Sequence, residues 1–186
     1  MPTFRTSRPG SAADPSLPHL ILIGLPGSGK TTVGQAVADQ LGRTFLDLDL
    51  EIERREGRSI GQIFGEKGEP YFRKKERELT EELTYVGNMI VAPGGGWAAD
   101  AENVALVRPP SQLVYLRVTP ESALKRLGPM RAMRPLLSRP DPLGELKRLL
   151  AARKTAYEAA DHVISTELYN LQRVIEMVVA LAGSRV

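Results

Sequence analysis

The sequence contains no cysteine and only two histidines, His19 and His162, among its 186 residues. The absence of cysteine excludes disulfides, thiolate nucleophiles, zinc–thiolate centres and iron–sulfur clusters. Two histidines far apart in sequence supply too few imidazole ligands for a histidine-based metal site, and they disfavour a histidine-containing catalytic triad. Any bound metal is therefore expected to be a hard cation of the Mg²⁺ kind, held by oxygen atoms.

Long apolar runs and a large excess of one charge are also missing. The longest apolar stretches, 20–25 and 177–182, are far shorter than the ~20 residues that span a bilayer, so we expect no membrane association. The 25 basic and 22 acidic side chains leave a net charge of only +3, which gives no reason to expect a nucleic-acid partner. With 42% hydrophobic and 25% charged residues, the composition is typical of a globular protein.

The N-terminal residues have too little apolar content to form a core. We predict a flexible tail over 1–18, where prolines alternate with serine, threonine, arginine and glycine, and a single domain over 19–186. The tail lacks the apolar centre of a secretory signal, so a cytoplasmic location is expected. We also expect the protein to be a monomer.

A second segment, about 127–141, has three prolines, several arginines and no clear periodicity. We predict that this segment is a mobile lid.

From His19 onward, short apolar runs alternate with longer helical patterns. This alternation predicts a layered α/β fold with a mostly parallel, buried sheet. The predicted strands are 20–24, 44–48, 89–92, 112–118 and 162–165. The predicted helices are 29–41, 50–56, 69–86, 101–107, 120–126, 142–159 and 168–182.

The segment Gly24–Thr31 reads Gly-Leu-Pro-Gly-Ser-Gly-Lys-Thr and fits the phosphate-binding pattern G-x-x-x-x-G-K-[ST] between a strand and a helix. Glycines allow the backbone N–H groups to face inward, and the positive end of the following helix adds to the attraction for a polyphosphate. Lys30 is expected to reach the β- and γ-phosphates and Thr31 to ligate Mg²⁺. The predicted ATP-binding residues in this segment are Gly27, Ser28, Gly29, Lys30, Thr31 and Thr32.

Two aspartates, Asp47 and Asp49, follow the second predicted strand. Residues two apart on a strand point to the same side, so the two carboxylates are expected to converge beside the phosphate-binding loop while the strand lasts. Asp47 is the candidate to serve Mg²⁺ and its waters, and Asp49 the candidate catalytic residue that aligns or deprotonates an attacking hydroxyl. The alternative is that Asp49 only caps the next helix.

These residues resemble the shikimate kinase family, whose signatures occur here in order over nearly all of 20–165. After the phosphate-binding loop and the aspartates come Ile52-Glu53, Gly57–Ile60, Ile63-Phe64, Gly68–Arg73 with Glu76, Gly94–Gly96, Arg134–Leu137, and Arg153 with Tyr157. The resemblance implies a three-layer α/β/α fold with a five-stranded parallel sheet, that of a P-loop NTPase of the nucleoside monophosphate kinase type. It also implies ATP-dependent phosphorylation of the 3-hydroxyl of shikimate.

The resemblance further implies that Arg73 and Arg153 grip the shikimate carboxylate and that Asp49 contacts the reacting hydroxyl. The residue chemistry agrees, because Glu76 at i+3 can orient the planar guanidinium of Arg73. The glycines Gly94, Gly95 and Gly96 are expected to let backbone N–H groups bind the substrate or the γ-phosphate at close range. The alternatives are solvated surface arginines and a plain flexible turn.

A cluster of arginines lies in the predicted lid and directly before it: Arg126, Arg131, Arg134 and Arg139. Arg134, before Pro-Leu-Leu, matches the family's lid arginine. We expect Arg134 to contact ATP and to stabilise the charge that develops during phosphoryl transfer. Either Arg126 or Arg131 is expected to stack on adenine, and the sequence does not separate these two.

Two features depart from the family pattern. Trp97 follows the three glycines, where it either packs as an anchor or faces the pocket and reshapes the space for the substrate ring. The segment 165–170 lacks the proline and arginine expected near adenine. Two other functions therefore stay open: a kinase for another hydroxy acid, such as gluconate, and a noncatalytic ATP-binding regulatory module.

Overall fold

The computed structural model describes residues 17–128 and 140–183. Its strands are β1 (Leu20–Ile23), β2 (Thr44–Asp47), β3 (Met89–Ala92), β4 (Gln112–Arg117) and β5 (His162–Ser165). Its α-helices are α1 (Lys30–Leu41), α2 (Leu48–Glu56), α3 (Ile60–Leu83), α4 (Ala101–Val107), α5 (Pro120–Leu127), α6 (Pro142–Glu158) and α7 (Leu171–Gly183). A short 3₁₀ helix spans Trp97–Ala99.

The five strands form one parallel sheet in the order β2-β3-β1-β4-β5. Alternate residues of β1 enter different cores: Ile21 and Ile23 pack in one apolar cluster, and Leu20 and Leu22 in the other. Both faces of the sheet are therefore covered, which explains why its strands are continuous apolar runs. The predicted three-layer α/β/α fold with a five-stranded parallel sheet is confirmed.

Helix α3 begins nine residues earlier than predicted, at Ile60 rather than 69, and it ends at Leu83 rather than 86. Ser59 and Gln62 form a capping box that starts it, with the Ser59 hydroxyl accepting from the Gln62 N–H. The backbone leaves the helical conformation at Gly68, where φ is 79°, and resumes before Pro70. A kink, rather than a break, therefore separates the two parts.

The second strand ends at Asp47, before the predicted boundary at 48, and this changes the placement of the aspartates. Asp47 is the N-cap of α2, and its Oδ1 accepts a hydrogen bond of 3.2 Å from the Leu50 N–H. Asp49 lies in the first turn of α2. The prediction that both aspartates project from one strand is wrong, because the chain turns into a helix between them.

Helix α7 begins at Leu171, three residues after the predicted start. Asn170 precedes it, and its Oδ1 accepts from the Arg173 N–H at 2.9 Å. Residues 166–170 are therefore a loop after β5. Over 17–128 and 140–183, the structure contains no helix with the length and apolar character needed to cross a membrane.

Candidate active site

The loop between β1 and α1 is shaped by glycines with positive φ. Gly27 and Gly29 have φ values of 83° and 97°. A Cβ on Gly27 would lie 2.6 Å from the carbonyl oxygen of Ala123, so a side chain there would collide with the backbone of α5. The Ser28 hydroxyl is buried in this loop and has no hydrogen-bond partner among the residues described. The loop thus presents an unused polar atom where a phosphate is predicted.

Lys30 is the first residue of α1, and its ammonium group folds over the loop. Its Nζ donates to the carbonyl oxygens of Gly24 at 2.9 Å and Leu25 at 3.1 Å. Thr31 follows, and its hydroxyl donates to Asp47 Oδ2 at 2.8 Å. The predicted Mg²⁺ residues Thr31 and Asp47 are thus in direct contact, and both offer oxygen atoms, the ligand type that Mg²⁺ requires.

The segment after β3, Gly94–Gly96, is the point where the predicted acceptor residues meet. A Cβ on Gly94 would lie 2.6 Å from Asp49 Oδ1 and 3.3 Å from Glu76 Oε1. A Cβ on Gly96 would lie 2.7 Å from Nη2 of Arg73. The absence of side chains therefore lets two carboxylates and a guanidinium approach the backbone closely.

Arg153 of α6 lies on the other side of this glycine segment. A Cβ on Gly95 would lie 3.1 Å from Arg153 Nη1 and 3.5 Å from the carbonyl oxygen of Gly24. The segment consequently borders both the second predicted clamp and the phosphate-binding loop. Asp49, Arg73 and Arg153, which are distant in sequence, are therefore all brought to this one glycine segment.

Arg73 is held in place by two carboxylates of its own helix. Its Nη1 donates to Glu76 Oε2 at 2.8 Å, and its Nη2 donates to Glu69 Oε1 at 2.9 Å. The expectation that Glu76 orients Arg73 is confirmed. Glu76 is fully buried, and its Oε1 has no hydrogen-bond partner within the described residues. Burial raises the pKa of Glu76 to about 7, against the opposing effect of Arg73 and with a further increase from Asp49.

Tyr157, one helical turn after Arg153, ties α6 to the glycine segment. Its hydroxyl donates to the carbonyl oxygen of Gly95 at 2.6 Å, and its ring stacks on Tyr115 with centroids 5.0 Å apart. Burial raises the pKa of Tyr157 to about 12, so the hydroxyl keeps its proton at neutral pH. This contact was missed at the sequence level, although the Tyr at i+4 from Arg153 was available as a signal.

A separate cleft of about 580 Å³ borders the phosphate-binding loop. Ser28, Gly29 and Thr32 line one side of it, and Arg126 and the loop after β5 line the other. Arg126 is fixed there, because its Nη1 donates to the Thr166 hydroxyl at 2.8 Å and its Nη2 to the Thr166 carbonyl at 2.7 Å. The segment that departs from the family pattern therefore forms a wall of this cleft.

Trp97 packs as an anchor and does not face the acceptor pocket. Its side chain is fully buried in the main apolar cluster, and its indole N–H donates to the Thr80 hydroxyl at 2.8 Å. Of the two alternatives that the sequence left open for Trp97, the structure therefore shows the packed anchor, because α3 offers both an apolar surface and a hydrogen-bond acceptor. Arg131, Arg134 and Arg139 of the predicted lid lie outside the described residues.

The comparison with protein families decides between the kinases that share such a loop. Residues 26–182 match the family description "Shikimate kinase". The chain belongs to the shikimate kinase family. The predicted family is thereby confirmed, and the enzyme class with it.

Relatives within the shikimate kinase family align over most of their length. The shikimate kinase of Symbiobacterium thermophilum is 41% identical, over 84% of this chain and 91% of that protein. Shikimate kinase from Acinetobacter baumannii in complex with shikimate has a TM-score of 0.83 at 37% identity, covering 89% of this chain and 93% of that one. A gluconokinase from Sinorhizobium meliloti, at 15% identity and a TM-score of 0.58, shares the fold alone.

Proposed function

We propose that this protein transfers the γ-phosphoryl group of ATP to the 3-hydroxyl of shikimate, forming shikimate 3-phosphate and ADP. The observation that carries the proposal is the meeting of Asp49, Arg73 and Arg153 at a glycine segment that itself borders the phosphate-binding loop. A carboxylate for a hydroxyl and two guanidinium groups for a carboxylate match the two ends of a hydroxy acid.

The nucleotide occupies the phosphate-binding loop and the adjoining cleft. The backbone N–H groups of Gly27–Lys30 and the N-terminus of α1 attract the phosphates, and Lys30 exchanges its carbonyl partners for the β- and γ-phosphate oxygens. The cleft between Arg126 and the loop after β5 has room for the nucleoside. We assign Arg126 to adenine, because it lines this cleft, whereas Arg131 lies outside the described residues.

Thr31 and Asp47 fit a magnesium site, since a hydroxyl and a carboxylate oxygen lie 2.8 Å apart beside the loop. Bound Mg²⁺ neutralises charge on the phosphate oxygens. The chain's own contribution is to hold the two oxygen ligands at fixed positions, because Asp47 is also tied to α2 through the Leu50 N–H.

On the acceptor side, Arg73 and Arg153 hold the shikimate carboxylate, and this orients the ring hydroxyls toward Asp49. Asp49 aligns the 3-hydroxyl for in-line attack or takes its proton as the bond to phosphorus forms. Arg134, outside the described residues, is proposed to stabilise the transferring phosphoryl group. Most of the rate acceleration then comes from positioning and electrostatics.

A coupled ADP-release assay with shikimate, quinate, gluconate or no acceptor tests the proposal. We expect turnover with shikimate far above turnover with gluconate, and little without an acceptor. Turnover with gluconate alone would identify the protein as a kinase for that acid. Tight ATP binding without turnover on any acceptor would instead identify a noncatalytic regulatory module.

Two variants test the assigned roles in the same assay. Asp49→Asn should reduce kcat by at least about 100-fold with KM for ATP nearly unchanged, because it removes the group that acts on the hydroxyl. Arg73→Ala should mainly raise KM for shikimate. Wild-type kcat in the first variant, or an unchanged KM in the second, would contradict these assignments.

We further propose that the protein acts as a monomer in the cytoplasm. Support for the monomer is that both flanks of the site, from Asp49 to Arg126, come from one chain. Support for the compartment is the need for ATP as the donor. Light scattering at micromolar protein concentration tests the oligomeric state.

A further inference from the structure

Trp97 is joined to the acceptor site through its own backbone. Its N–H donates to the carbonyl oxygen of Gly94 at 3.1 Å, so that the three glycines and the tryptophan form one turn. Three consecutive glycines have a large conformational freedom, and their fixed position must come from contacts on either side. Trp97, fully buried, is the first side chain that follows them.

The indole of Trp97 ends on α3, the helix that carries Arg73 and Glu76. Its Nε1 donates to the Thr80 hydroxyl at 2.8 Å, and that hydroxyl in turn donates to the carbonyl oxygen of Glu76 at 2.8 Å. Thr80 is fully buried, so this pair of hydrogen bonds is shielded from water. The contact lies one helical turn beyond Glu76 and two beyond Arg73.

The hydrogen bond from Trp97 to Thr80 sets the distance between the glycine turn and α3. The Arg73 guanidinium lies so close to Gly96 that a Cβ there would be 2.7 Å from Nη2, and a Cβ on Gly94 would be 3.3 Å from Glu76 Oε1. A shift of the glycine turn by a fraction of an ångström relative to α3 would change both approaches. The contact from Tyr157 to Gly95 restrains the opposite side of the segment but does not reach α3.

We infer that Trp97 is a positioning residue for the acceptor: through Thr80 it fixes the Gly94–Gly96 turn against α3 and so sets the geometry in which Arg73 meets the substrate carboxylate. The inference rests on the proposed function, because it assigns a role within the same acceptor site. Neither Trp97 nor Thr80 touches the substrate, and the nucleotide cleft lies outside their reach.

The test compares Thr80→Val, which removes the hydroxyl at nearly constant volume, with Thr80→Ser, which keeps it. We expect Thr80→Val to raise KM for shikimate about tenfold, equivalent to about 1.4 kcal/mol, with KM for ATP within twofold of wild type. Thr80→Ser should stay near wild type in both. Trp97→Phe, which removes the N–H and keeps a buried ring, should behave like Thr80→Val.

Val178→Ala is the matched control, because Val178 is fully buried in the other apolar cluster. It should lower Tm without changing KM for shikimate. If Thr80→Val lowers Tm but leaves both KM values unchanged, the inference is overturned and Trp97 is a packing residue only. If Trp97→Phe does not fold, Thr80→Val and Thr80→Ser still test the inference. Failure of the proposed function is distinct: wild-type protein would then show no shikimate-dependent ADP release.

Discussion

Thr31 and Asp47 are joined by a hydrogen bond of 2.8 Å between the threonine hydroxyl and the aspartate Oδ2. The bond connects the first turn of α1 to the end of β2. Asp47 also caps α2 through Oδ1, so one carboxylate orients both the candidate metal site and the helix that carries Asp49.

Asp47→Asn should therefore weaken Mg²⁺ binding more than it lowers the stability of the folded protein. The asparagine keeps an oxygen for the Leu50 N–H but loses the negative charge that favours a divalent cation. We expect the Mg²⁺ concentration for half-maximal rate to rise by at least about fivefold, measured at fixed ATP and shikimate. Asp49→Asn is the comparison, with reduced kcat and an unchanged Mg²⁺ dependence. Equal Mg²⁺ dependence in Asp47→Asn and wild type would contradict the assignment of Asp47.

Gly96→Ala should raise KM for shikimate while leaving KM for ATP unchanged. The new methyl group would occupy space 2.7 Å from Arg73 Nη2, so the guanidinium must move away from the glycine segment. Gly65→Ala is the control, because Gly65 lies exposed in α3 with nothing near the added methyl. That control should gain roughly 0.5–1 kcal/mol of stability from helix propensity. A normal KM for shikimate in Gly96→Ala would contradict the expectation that the position of Arg73 beside Gly96 sets acceptor binding.

Glu76 should make the protein less stable as pH rises through its titration. Burial raises the pKa of Glu76 from 4.5 to about 7, so the folded state keeps a proton that the unfolded state releases. The resulting contribution to the free energy of unfolding is full below about pH 4.5 and declines until about pH 7. Urea unfolding of Glu76→Gln across this range should show a steeper increase of stability with pH than wild type. Parallel curves for the two proteins would contradict the raised pKa.

His19 should contribute in the opposite direction. Burial lowers the pKa of His19 from 6.5, against hydrogen bonds to backbone carbonyls that raise it. The neutral ring accepts from the Met89 N–H at Nδ1 and donates to the Leu83 carbonyl through Nε2. Because the unfolded state gains a proton first, stability falls as pH drops below about 6.5. His19→Gln should abolish this acid-side loss, measured by the same urea titration.

Arg126→Ala should affect the nucleotide and not the acceptor. Arg126 lines the cleft and holds the loop after β5 through two hydrogen bonds to Thr166. We expect KM for ATP to rise by about tenfold and KM for shikimate to change less than twofold. Lys125→Ala, at the neighbouring position of α5, is the control. A raised KM for shikimate in Arg126→Ala would instead indicate that the two sides of the site are coupled.

The strands and most helices could be predicted from sequence because their apolar periodicity is local. Helix α3 was the exception: three glycines and Pro70 obscure its first half, although the Ser59–Gln62 capping box marks its start. The helix was predicted to begin at 69, directly after Gly68, and the backbone does leave the helical conformation at Gly68. The sequence pattern predicted only the part that follows Gly68, from 69 onward, and missed the helical turns from Ile60 to Lys67.

The grouping of Asp49, Arg73 and Arg153 at the glycine segment was predictable from family signatures together with the rule that ligands bind at the carboxyl ends of parallel strands. The orientation of Trp97 was not, because its hydrogen-bond partner Thr80 is 17 residues away on another element. The burial of Glu76 could not be predicted from the sequence either, since a glutamate in an amphipathic helix is usually solvated.

The strand order places β1, with the phosphate-binding loop, at the centre of the sheet. Asp47 ends β2, Asp49 lies just beyond it and the glycine segment follows β3 on one side, whereas α5 follows β4 and a loop follows β5 on the other. Arg153 reaches the glycine segment from α6, which precedes β5. Substitutions in the loop after β5 can therefore alter the nucleotide cleft without changing Asp49, Arg73 or the glycine segment. A departure such as that of the loop at 166–170 is tolerable for this reason.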